Sequence, residues 1–278
     1  GVIAGACVDS KIEKCTSYLP MVCEGNNSAN KLMTMGLVGF VYGAGTSEDT
    51  VSQLTDLTNY GALKADPGAA NANGFTSTQV GGIAGFSNTS RTSTFANRFL
   101  RCINHGDMTV STGRASGIVA AANRYTHLTD CTNYGLNDNA FPRSGYARLG
   151  NITCITGPGI KFTNVVNRGD LISRTKGAAG GILCLVNHND NEFIGCESYG
   201  RVISDRPDND YKGTFFGQCK KAAKFRNCIA QGDVGTYNGG DCIMTGVNAD
   251  NYMDYLGAYD ASAVDVTPAN ILYRPAGN

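Results

Sequence analysis

The chain has 278 residues, including 36 Gly and no Trp, and its 23 basic and 23 acidic residues cancel to a formal charge of zero. That balance excludes a global field favouring nucleic acid or an anionic membrane. No apolar run approaches the roughly 18 residues of a membrane-spanning helix, and the opening lacks the basic-then-apolar order of a signal peptide.

The first element is "VIAG", Val2 to Gly5, a small-apolar-apolar-small phrase that returns at Gly36, Gly82, Gly117, Asn151, Gly181 and Thr214. A second phrase follows, apolar-x-x-Cys-x-Asn-x-Gly, first as "IEKCTSYL" from Ile12, with its Cys position about 13 to 21 residues after the start of each copy. Its later copies start at Leu54, Phe99, Leu128, Phe162, Phe193 and Phe225, and a Gly closes six of the seven. The last five closing glycines are 29, 34, 31 and 32 residues apart, so one supersecondary unit recurs per repeat. A weaker strand follows the closing Gly, as in "DMTV" from Asp107, "DLIS" from Asp170 and "RVIS" from Arg201.

Strands this short cannot bury their apolar faces within one repeat, whereas stacked repeats bury them with like side chains in register. The expected fold is therefore all-β, a right-handed parallel β-helix of about seven rungs with three short strands each. A β-propeller, with four antiparallel strands in about 40 to 50 residues per blade, fits the period less well. Asn59, Asn104, Asn133 and Asn167 are expected inside as an amide ladder. Cys102, Cys131, Cys196 and Cys228, with Cys154 over Cys184, are expected as a reduced interior column, because a free thiol packs as a small hydrophobe.

The coil is expected over residues 1–246, starting in mid-repeat as if cut from a longer chain or from a cleaved leader; a fold-back of Pro20 to Lys31 as a cap is the alternative. Residues 247–278 change to a Tyr-rich texture and read as a C-terminal cap.

The paired phrases "GGIAGF" with "CINHGDMTV", and "GGILCL" with "CESYGRVIS", resemble GLUG-type repeats of bacterial surface proteins over about residues 1 to 240. The resemblance implies an adhesin-like stalk or binding module from a Bacteroides-like bacterium, at the cell surface or secreted. Asn151 to Cys154 lacks the glycines, and Ala230 replaces the Asn, so those rungs depart from the pattern.

Candidate chemistry is sparse. No CxxC is present, and His105, His127 and His188 form no legible nucleophile or metal motif. Asp107, Asp170 and Asp233 follow closing glycines on alternate rungs, which spaces their backbones near 10 Å and suits a surface charge ladder with Arg201 better than a hydrolase pair. The run "DRPDND" from Asp205 lacks the spacing and glycine of a calcium loop. Next to the Asn column lies an outward stripe, Tyr18, Tyr60, His105, Tyr134, Arg168 and Tyr199. Such planar groups could stack on sugars or grip a partner, or simply stack on each other to support the coil.

The functional expectation is a non-enzymatic module binding a glycan or host-surface protein through that stripe, with no cofactor, metal or nucleic acid and with further domains of a longer chain as possible partners. The alternatives are a polysaccharide lyase or glycoside hydrolase, with a groove built from the insertions Ala62 to Gln79 and Asn137 to Arg148, and a passive stalk.

Overall fold

The computed structural model describes residues 1–24, 33–66, 78–139, 147–175, 177–205, 211–238 and 241–275. The chain is a parallel β-solenoid of five stacked sheets with six to eight strands each, and every fifth strand returns to the same sheet. Each full turn thus carries five strands where three are expected from the sequence. One reason lies in the Cys-containing phrase, which holds two strands, not one. In the fourth turn Thr126–Thr129 belongs to the second sheet and Thr132–Asn133 to the third. Between them Asp130 turns the chain in the left-handed region, φ 53°. The same conformation recurs at Lys14, Asp56, Arg101, Asn164, Gly195 and Asn227, with φ between 51° and 62°. Polar or Gly residues hold this column because they tolerate positive φ better than β-branched ones. The fifth strand, such as Thr78–Gly81 just ahead of the "GIAG" phrase, is short, and only its closing Gly81, Gly150, Gly180 and Gly213 recur.

Like residues stack in register throughout. Leu54, Phe99, Leu128, Phe162, Phe193 and Phe225 form one inward column of the second sheet. Within it Phe162, Phe193 and Phe225 stack face to face at 4.9 and 4.8 Å between centroids. The described strands pair in parallel except Val234–Asn238 and Asp241–Thr245, an antiparallel pair closing the fourth sheet.

The buried apolar side chains form two separate main columns. The larger, with Leu54, Phe99, Ile118 and Phe193, fills the space among the first three sheets. The smaller, with Leu63, Val80, Met108, Leu149 and Leu171, lies between the fourth and fifth. They are divided by a waist where the turn between the fifth and first sheets meets the third sheet. A Cβ on Gly82 would sit 2.4 Å from the Asn104 amide carbon, and one on Gly117 2.1 Å from Asn133 Oδ1. This contact ties the two recurring phrases together, since the glycine of one accepts the Asn of the other. Asn151 stands where Gly36, Gly82, Gly117 and Gly181 stand on other rungs, and its Nδ2 donates to the Gly169 carbonyl at 2.5 Å.

The C-terminal segment continues the coil order over the last turn. Ala258–Tyr259 pairs with the first sheet, Val264 bridges to Ala223 of the second, and Ile271–Tyr273 extends the third. Tyr252, Leu256, Val264, Val266 and Ile271 are buried there, covering the end of the larger core column.

Candidate binding face

The first six strands of the third sheet contribute only two residues each, and these two face opposite ways. Its inward column is the Asn series, all fully buried. Asn59 Nδ2 donates to Asn104 Oδ1 at 2.8 Å, Asn104 to Asn133 at 2.8 Å, and Asn133 to Asn167 at 3.3 Å. Each also donates to a carbonyl two residues on, that of Gly61, Gly106, Gly135 or Gly169, at 2.8 to 3.1 Å. Each amide therefore holds its own turn and a neighbouring rung at once, which apolar side chains of the same size could not do. Above Gly135 the Gly106 carbonyl leaves 2.1 Å for any Cβ, which accounts for the Gly that closes six of the seven copies.

On the outer side, one residue beyond each Asn, the stripe stacks upon itself. Tyr18 lies over Tyr60 at 4.8 Å, Tyr60 over His105 at 4.6 Å, and His105 over Tyr134 at 4.7 Å, with planes within 5°. Further along, the Arg168 guanidinium sits 4.7 Å from the Tyr199 ring centre. Each ring covers its neighbour's face, so Tyr60 and Tyr134 are 45% and 46% exposed mainly through their edges, while Tyr18 at 72% keeps an outer face. What the stripe offers a partner is a row of hydroxyl, imidazole and guanidinium groups one strand spacing apart.

Two participants are not part of the sequence-derived stripe. The Tyr199 hydroxyl bonds Glu197, and Arg274 Nη1 donates to the same oxygen at 3.2 Å. Burial and the Glu197 carboxylate push the Tyr199 hydroxyl above its ordinary pKa. Strand alternation alone could have placed Glu197 beside Tyr199; Arg274 reaches the site only because the C-terminal segment lies over the third sheet.

The remaining candidates occupy structural roles. Asp107 Oδ1 accepts the Leu136 N–H at 2.8 Å, and Asp170 accepts the Arg201 N–H at 2.8 Å and its Nε at 2.9 Å, a rung-to-rung charge ladder. His127 sits between Arg98 and Lys161 on the outer side of the second sheet, where burial and those two cations lower its pKa. All eleven cysteines are free thiols. Cys102, Cys131, Cys196 and Cys228 lie in the larger core column, and burial pushes the Cys131 and Cys196 thiols well up. Cys154 and Cys184 are equally buried but outside that column, in a small cluster with Ala178 and Leu185 at the corner of the fifth and first sheets. The expected interior position fails for this pair because the strand kinks there, turning the residue that Gly39 and Gly85 occupy on other rungs away from the core.

Among the described residues no group of three or more His, Cys, Asp or Glu could hold a metal ion, and no helix is long and apolar enough to cross a membrane. Residues 206–210 of "DRPDND", residues 25–32, most of the insertion before Gln79 and residues 140–146 of the next lie outside the described residues. No protein-family model, curated protein or solved structure matches this chain.

Proposed function

We propose that the chain is a non-enzymatic, cell-surface or secreted solenoid module that binds an extended ligand, a glycan or a host-surface protein, along its third sheet. The observation carrying this reading is the preorganised outer stripe: planar polar groups fixed by mutual stacking present hydrogen-bonding edges at a constant interval. Side chains already immobilised lose little further rotamer freedom on binding, which favours affinity for a regular partner. The resemblance of the paired phrases to GLUG-type repeats of adhesin-like bacterial proteins supports the same reading. Because the ring faces are occupied by one another, recognition goes through hydrogen bonds to ring edges, with face stacking left to Tyr18.

A passive stalk is the second reading, favoured by that same use of the ring faces to reinforce the coil. A glycan array and a polysaccharide depolymerisation assay on the wild type and on Tyr134→Ala/Tyr199→Ala, with folding followed by circular dichroism, separate the possibilities. Binding without cleavage, lost in the double variant, is the expected result. Cleavage would replace the reading with a carbohydrate-active enzyme, and binding undiminished in the double variant would remove the stripe from it.

A further inference from the structure

A second face has the composition of a site. At the corner between the fifth and first sheets the outer sides of the two sheets turn toward each other. Cys154 Sγ donates to the Arg148 carbonyl at 3.0 Å and Cys184 Sγ to the Ala178 carbonyl at 3.2 Å, so the thiols form a floor linking the two walls. On one wall the outward residues of successive rungs are Gln79, Arg114 and Arg148, aligned in register. The other wall presents Phe86, Ala121 and Ile155 on the same three rungs, also aligned. Outward columns on a solenoid are normally polar and wet; here Ala121 is 1% and Gln79 4% exposed, which marks the corner as concave.

Two features of this wall are unexplained by the fold. Arg114 lies directly beside a second cation, Arg148, on the next strand, and Arg148 already has an interaction of its own. Arg114, half-buried, has no hydrogen bond or ion pair to a described residue. The Gln79 side-chain oxygen, beside it, is buried without a hydrogen-bond partner. A buried polar atom left unpaired beside an uncompensated guanidinium is destabilising unless a ligand completes both. Burial and the neighbouring Cys154 thiol push the Cys184 thiol well up, with the Arg148 and Arg114 charges opposing them.

We infer that this corner is an oxyanion site for an acidic saccharide, whose carboxylate or sulfate is taken by Arg114, whose hydroxyl donates to Gln79, and whose apolar ring face lies on Ile155. Guanidinium matches carboxylate and sulfate oxygens in paired geometry. An added peptide strand is disfavoured, because the backbones of these central strands are already paired on both sides and β-augmentation needs a free edge. The site is separate from the aromatic stripe and shares only the glycan reading with it.

Calorimetric titration of the full chain with a galacturonate oligosaccharide, a sulfated oligosaccharide and inorganic sulfate tests this. Binding of at least one oligosaccharide is expected, weakening with added salt and falling about tenfold or more in Arg114→Gln. Gln79→Glu is expected to weaken it as well, since an internal carboxylate then occupies Arg114 while the fold is undisturbed. Preference for the uronate or for the sulfated ligand identifies which oxyanion is read, and both support the site. No binding of either oligosaccharide, binding of inorganic sulfate alone, or equal affinity in wild type and Arg114→Gln overturns it. Tyr134→Ala/Tyr199→Ala is expected to leave this binding intact, so loss in that variant alone would also overturn the corner site while favouring the stripe.

Discussion

The two sides of the third sheet, one residue apart in sequence, solve the same stacking problem differently. Inward, Asn59, Asn104, Asn133 and Asn167 are joined by directional bonds, with both amide protons of the first three used. Outward, Tyr18, Tyr60, His105 and Tyr134 are joined by ring contact, which tolerates a Tyr, a His or, further on, an Arg in the same place. The difference teaches that an interior Asn must find its partners on the neighbouring rungs, because its polar atoms have no water to fall back on. An exterior column needs only a shared shape, and so remains free to vary toward a ligand.

The sharpest way to break this contrast is Asn133→Leu, which removes the bonds to Asn104, Asn167 and the Gly135 carbonyl at a site without water. A loss of about 4 kcal/mol in denaturant unfolding is expected. Next is Gly117→Ala at the waist, where the new methyl would lie 2.1 Å from Asn133 Oδ1 and 2.5 Å from the Asn151 carbonyl. Forcing the two walls apart is expected to cost about 3 kcal/mol in the same measurement. On the outer side Tyr134→Ala is expected to cost only about 1 kcal/mol, because ring stacking adds little beyond area and the site is half-exposed. Equal losses for Asn133→Leu and Tyr134→Ala would abolish the distinction between the columns.

The smallest effect is a dependence on pH. Burial, Lys161 and Arg98 hold the folded-state pKa of His127 below its ordinary 6.5. The unfolded chain therefore takes up the proton first, so stability falls as pH drops through 6.5 and levels off once the folded form is protonated too. Unfolding of wild type and His127→Gln, compared between about pH 8 and about pH 5, should show this decline in the wild type alone. A wild type that gained stability on acidification relative to the variant would reverse the assignment.

Much of the architecture was legible because stacking writes itself into the sequence. The apolar position, the Cys or Leu three residues on and the Asn two beyond each face the core once per turn, so selection for packing repeats them visibly. The fifth sheet was not legible, since its strands are short and their outward residues change from Gln79 to Arg114 between neighbouring rungs. For the same reason the concave corner could not be read, whereas the stripe beside the Asn column could.

By itself the sequence determined the parallel coil, the Asn and Cys columns and the outward stripe, because each follows from the period of the chain and strand alternation. Only the tertiary structure decided that a turn holds five strands, that Cys154 and Cys184 leave the main core, that Arg274 reaches Tyr199 and that Arg114 stands unpaired against an apolar wall. These depend on left-handed corners and strand kinks, which set where a side chain goes in three dimensions without altering how often it recurs.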